Sequence, residues 1–247
     1  MILRIPKLWL VAFILGLLAL IPMNAVAGKT PEEVMKFLTR KAMAEKGSVI
    51  AQIDLGNFYA YGEGVTKDSV QAVSWYRKAA DQGNAFGQFF LANYYFKGEG
   101  VAKDSVQAVE WYRKSAEQGH PLAQYNLGIC YDTGEGVAKD QVQAVSWYRK
   151  SAEQGNAQGQ LNLGYSYDKG EGVAKDEIEA YAYWNLAGIT LEHARKNLAI
   201  LEKKMSPDAR LLGQQRTKQL QKEIEGRLET LDDLRKAVEK ESLRKGG

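Results

Sequence analysis

The tetrapeptide Gly-Glu-Gly-Val starts at Gly62, Gly98, Gly134 and Gly170, each 36 residues after the one before. The same step links Asp68, Asp104, Asp140 and Asp176, then Ala72, Ala108, Ala144 and Ala180. It also links Leu55, Leu91, Leu127 and Leu163, and Tyr59, Tyr95, Tyr131 and Tyr167. A period of this length restricts the chain to a repeat architecture. One such unit cannot bury its own apolar face, so neighbouring copies must stack to make a core.

Each copy holds two helical patterns. In the first, Ala51, Leu55, Gly56 and Tyr59 recur at spacings of three and four. Gly62 and Gly64 end it, since glycine adopts the positive φ of a helix exit. The second pattern starts at Asp68, whose carboxylate can accept from free N–H groups of the first turn. Gln71 completes a capping-box-like pair, repeated as Asp104/Gln107, Asp140/Gln143 and Asp176/Glu179. Val73, Trp75, Tyr76, Ala79 and Ala80 form its buried stripe, and Gly83 stops it. The tryptophans and tyrosines therefore read as core. The Trp-Tyr pairs at Trp75, Trp111 and Trp147 read as slipped in the last copy, where Tyr183-Trp184 stands. Small residues at Gly56, Ala92, Gly128 and Gly164 suit close helix approach. Gly-Glu-Gly-Val reads as a turn, for it lacks the Gly-Lys-Ser/Thr ending of a phosphate loop and no strand precedes it.

The third copy shows the whole pattern: Ala123 to Gly128, Tyr131, Gly134 to Val137, Asp140, Ala144, Trp147-Tyr148, and Ala152 to Gly155. At these residues the chain resembles the Sel-one-like repeat family, a relative of the tetratricopeptide repeat. The resemblance covers residues 49–190 in four copies. It implies an all-α fold, a right-handed α-solenoid of 36-residue helix-turn-helix repeats with helical caps, acting as an interaction scaffold. Bacterial members resembling it work in the cell envelope, in signalling, in host interaction, or as immunity proteins that bind secreted toxins. Some exported members are linked to β-lactam binding or hydrolysis, but those have disulfide-stapled repeats. With Cys130 as its single cysteine, this chain departs from that pattern.

The flanks differ in kind. Arg4 and Lys7, the apolar run Leu8 to Ile21, Pro22 and Ala25-Val26-Ala27 read as a cleavable signal over residues 1–27. Cleavage after Ala27 is expected, with periplasmic or secreted localisation and no stable membrane insertion afterwards. The apolar run falls short of the roughly 20 residues of a spanning helix. Residues 28–48 are expected to form an N-terminal capping helix and residues 191–247 C-terminal capping helices, the latter with a stripe of Leu220, Ile224, Leu228, Leu231 and Val238. An alternative for the C-terminal segment is a projecting helix that meets a partner.

The chemistry is sparse. Of 33 basic residues two lie in the signal, leaving 31 against 30 acidic ones, so no global field draws the chain to nucleic acid. Cys130 reads as a buried filler. His120 stands where Asn84 and Asn156 stand and reads as a turn residue, leaving only His193. No metal motif, nucleophile elbow or unlike carboxylate pair is evident, so neither catalytic residue, metal nor cofactor is expected. The expected partner is another protein, such as a secreted toxin or an envelope protein. Binding of cell-wall glycan, peptide or β-lactam is the alternative, and a hydrolase the remotest.

The expected binding surface is the concave face formed by the first helices. Setting Leu55, Gly56 and Tyr59 inward, 100° per residue turns positions 50, 53, 57, 60 and 61 outward. In the second copy these are Phe86, Phe89, Asn93, Phe96 and Lys97. In the third they include Leu122, Tyr125, Ile129, Asp132 and Thr133, and in the fourth Gln158, Leu161, Tyr165, Asp168 and Lys169. Aromatic residues on a face that should be wet suggest an interface.

Overall fold

The structure, a computed structural model, describes residues 28–245, so residues 1–27, read from the sequence as a signal, lie outside the described residues. Among them are eleven α-helices and no strand: α1 (Pro31–Glu45), α2 (Val49–Tyr61), α3 (Ser69–Asp81), α4 (Ala85–Lys97), α5 (Ser105–Glu117), α6 (Pro121–Thr133), α7 (Gln141–Ala152), α8 (Ala157–Lys169), α9 (Glu177–Ala187), α10 (Glu192–Glu202) and α11 (Pro207–Lys245). This is the all-α repeat class read from the sequence. No described helix is long and apolar enough to cross a membrane. The chain divides into two compact units at Lys103 and Asp104. Helices α1–α4 belong to the first unit and α5–α11 to the second.

Local chemistry sets both ends of each repeat helix. The first helices begin at Ser48, Asn84, His120 and Asn156, whose side chains accept from N–H groups of the first turn. They end at Gly62, Gly98, Gly134 and Gly170, all left-handed. The second helices begin at Asp68, Asp104, Asp140 and Asp176, whose carboxylates cap as expected. The reciprocal arm of a capping box is a different matter. The backbone N–H groups of Asp68, Asp140 and Asp176 already donate to the carbonyls of Tyr59, Tyr131 and Tyr167, so nothing there awaits the Gln or Glu side chain. A full capping box forms instead at α1, between Thr30 and Glu33. Hydrogen bonds from Thr30 hold the Glu33 carboxyl below its usual range.

Packing explains the rest of the period. A Cβ on Gly56 or Gly128 would lie within 2.4 or 2.6 Å of the Tyr76 or Tyr148 ring, and one on Gly164 within 2.6 Å of Trp184. These three rings lie in one register, 20 residues after their glycines. The last copy has therefore exchanged the order of its Trp-Tyr pair rather than slipped. The exchange gives the indole N–H of Trp184 a partner in the Leu161 carbonyl, at 3.1 Å. Polar bonds stitch successive copies: Arg77 donates to the Tyr95 hydroxyl, Arg113 to Tyr131 at 2.7 Å and Arg149 to Tyr167 at 3.0 Å.

Within the first unit the core joins Phe37, Ala44, Leu55, Phe58, Val65 and Trp75. Within the second, Ala180, Tyr181 and Trp184 pack with Leu201 and Met205. Helix α11, 39 residues long, packs on α9 through its first half. A Cβ on Gly213 would touch the Tyr181 ring at 2.6 Å. Arg216 pairs with Glu179 at 2.7 Å and Arg227 with Glu153 at 2.7 Å. Of the stripe expected along α11, Leu220 is buried and Ile224 half-buried, while Leu228 and Leu231 are exposed. The Val238 side chain lies outside the described residues.

Candidate protein-binding surfaces

On α2 and α4 of the first unit the outward line runs Ile50, Asp54, Asn57, Tyr61 and Phe86, Phe90, Asn93, Lys97. Phe86 is 55% exposed and Tyr61 71%. Asn93 and Phe96 are half-buried, Lys97 is exposed, and the Lys103 ammonium lies 5.6 Å from the Phe96 ring centroid. Phe89 corrects the sequence reading. It is 9% exposed and belongs to the core side, with its ring 5.5 Å from that of Phe90. The cause is a register error. Gln52 and its equivalents Gln88, Gln124 and Gln160 look like solvent residues but are 4–5% exposed. Their amides donate to the carbonyls of Ala44, Ala80, Ala116 and Ala152 at the end of the preceding helix. With these polar residues inside, the outward direction turns from the Phe89 position toward the Phe90 position. Phe90, missed by sequence reasoning, stacks on Tyr76 at 4.9 Å and lines a groove with Lys36, Arg40, Asn57, Phe58 and Tyr61. It stands where other copies have Asp54, Asn126 and Asn162, and that departure was the available signal.

In the second unit, α6 carries Leu122, Tyr125, Ile129 and Asp132. Leu122 is 42% exposed and the other three are half-buried. Tyr125 lies 6.1 Å from the Tyr148 ring, whose hydroxyl donates to Asp132 at 3.5 Å. On α8, Tyr165 is 46% exposed and Asp168 pairs with Lys169 at 2.8 Å. Leu161 packs against the Ala180–Trp184 cluster, so much of its side chain serves the fold. Tyr165, Asp168 and Lys169 share a cleft with Trp184, Ile200 and Lys204. Helix α10 thus forms a wall of the surface, a role its place outside the repeats concealed.

Neither His120 nor Cys130 presents chemistry to a ligand. Cys130 is 1% exposed, and burial pushes its thiol up to about 12, which leaves it unreactive. His120 is buried, and its Nδ1 accepts from the N–H of Ala123 at 3.3 Å. Burial lowers its pKa. On acidification through the unfolded value near 6.5, the unfolded chain takes up a proton that the folded chain refuses, so stability falls with pH. Replacement by the asparagine of the neighbouring copies keeps the cap and removes the titration. Chemical denaturation from pH 7 to 5 should give a flatter pH dependence for His120→Asn than for the parent. Parallel slopes would remove His120 from the acid response.

The Sel1 repeat family model matches residues 49–84, 85–120, 121–156 and 157–188. No curated protein matches the chain. Among solved structures, a Sel1 repeat protein from Oxalobacter formigenes is 36% identical, with a TM-score of 0.61 over 68% of this chain and 72% of its own. A protective antigen of uropathogenic Escherichia coli strains displaying an SLR fold is 28% identical, with a TM-score of 0.48. That match covers 78% of this chain and 57% of the antigen. An immunity protein from Pseudomonas aeruginosa is 20% identical, with a TM-score of 0.37 over 75% of this chain and 82% of its own.

Proposed function

The chain belongs to the Sel1 repeat family, whose members are generally protein-interaction scaffolds, and we propose that it is an exported scaffold that holds a partner protein on the outward faces of its first helices. The carrying observation is the exposure of large apolar side chains on those faces: Ile50, Tyr61 and Phe86 in the first unit, Leu122 and Tyr165 in the second. Rigid aromatic anchors lose little entropy on binding and dominate interface energetics. An immunity role against a secreted toxin and an adaptor role in envelope signalling are two forms of this reading.

The test is recovery of the C-terminally tagged protein from an envelope extract with its bound partner, followed by titration of that partner. Phe86→Ala and Tyr165→Ala should each weaken binding by roughly 1–3 kcal/mol, with circular dichroism unchanged. Phe89→Ala should instead lower the melting temperature. Intact mass should place Gly28 first, as export with cleavage after Ala27 requires. Undiminished binding by both face variants would reject the surface, and a mass beginning at Met1 would reject cleavage.

A further inference from the structure

The cleft between α8, α9 and α10 combines three properties that together describe what it can hold. Its volume is about 140 Å³. An apolar cavity of roughly 150 Å³ accepts benzene, so there is room for one large side chain. Its walls are apolar at depth and open at the mouth: Trp184 and Leu201 are buried, while Tyr165 and Ile200 are 46% and 55% exposed. Its charge is unbalanced. Asp168 is the one carboxylate lining it, and Lys169 already neutralises that group at 2.8 Å. Lys204 stands in the same lining, in the turn after α10, and no carboxylate among the described residues pairs with it.

We infer that this cleft takes a large apolar side chain from a partner segment that also carries a carboxylate, the ring or branched chain seating between Tyr165, Ile200 and Trp184 while the carboxylate meets Lys204. The inference rests on the protein-binding reading above and narrows it to the chemistry of one partner element. Apolar burial supplies the attraction, and the ammonium selects acidic over basic segments, because charge pairs across an interface favour the right partner and penalise like charge. The rest of the cleft has no free anion to reverse that choice.

The experiment uses the full mature chain and two fluorescein-labelled dodecapeptides with the same Leu-Trp-Leu centre. Glutamates flank the centre in one and lysines in the other, and binding is read by fluorescence anisotropy. The acidic probe should bind about tenfold more tightly than the basic one, and added salt should narrow the gap. Lys204→Glu should abolish or invert the preference, with an unchanged melting curve because Lys204 is exposed. Ile200→Ala, which removes apolar wall without adding charge, should weaken both probes, and Phe86→Ala, in the other unit, should change neither. Equal affinity for the two probes, binding of neither, or a preference that survives Lys204→Glu overturns the inference. In each of those cases, an envelope partner still weakened by Phe86→Ala leaves the broader function standing; indifference to both face variants removes that as well.

Discussion

Deletion of residues 191–247 should make the protein aggregate, whereas deletion of residues 231–247 should leave its association state and melting temperature little changed. The contrast follows from what α11 covers. Its first half lies on α9, where Gly213 admits the Tyr181 ring and Leu220 is buried. The shorter deletion starts at Leu231, which is 47% exposed. The longer one also removes Leu201 and Met205, the partners of Tyr181 and Trp184. Each large side chain returned to water costs about 1.5–3 kcal/mol, so uncovering Tyr181 and Trp184 and losing Leu201 and Met205 approaches the 5–15 kcal/mol that hold a typical domain. Repeat arrays lose stability locally, through nearest-neighbour terms. Hydrogen exchange should therefore report the loss first in α8 and α9. Light scattering and exchange on the two truncations measure both effects. A long truncation with an unchanged association state and melting temperature would mean that residues 191–247 do not cap the fold.

Much of this was legible because repetition amplifies weak local signals. One aspartate before an apolar stripe is a modest sign of a helix start, but Asp68, Asp104, Asp140 and Asp176 at a fixed step leave little choice. The same holds for the glycine exits. Repetition also concealed things. Gln52, Gln88, Gln124 and Gln160 recur as strictly as the leucines, yet a polar residue is ordinarily placed in solvent. Only their amides' reach to carbonyls of the preceding helix makes burial favourable, and that reach is invisible without coordinates. The error carried into the surface, exchanging Phe89 for Phe90. The part that helix α10 plays in the surface stayed hidden for the opposite reason: the helix itself was expected within 191–247, but Ile200 and Lys204 have no counterpart in other copies to compare with. Phe90 was readable in principle, as the copy in which an otherwise polar outward position becomes aromatic.

The second large effect concerns the second glycine of Gly-Glu-Gly-Val, which the sequence identified only as part of a turn. Gly136→Ala should cost roughly 3–5 kcal/mol, and Gly119→Ala only about 1–2 kcal/mol. Both residues have positive φ, +75° and +88°, so alanine meets the same backbone strain at either. They differ in what lies ahead of the new methyl. At Gly119 nothing stands within 4 Å, but at Gly136 the methyl would meet the Ser105 carbonyl oxygen at 2.0 Å and its carbon at 2.4 Å. Those atoms belong to the first turn of α5, one repeat earlier, and a helix backbone cannot move aside as a flexible side chain can. The contact recurs where it can be compared: Gly64 against Glu33, Gly100 against Ser69 and Gly172 against Gln141, at 2.2, 2.3 and 2.1 Å to the nearest atom. The motif is therefore the seat on which each copy rests against the helix before it, and the missing side chain is what allows the approach. Because the strain term is common to both variants, the difference between their denaturation free energies isolates the seating term. Equal destabilisation by Gly136→Ala and Gly119→Ala would reduce the motif to a turn after all.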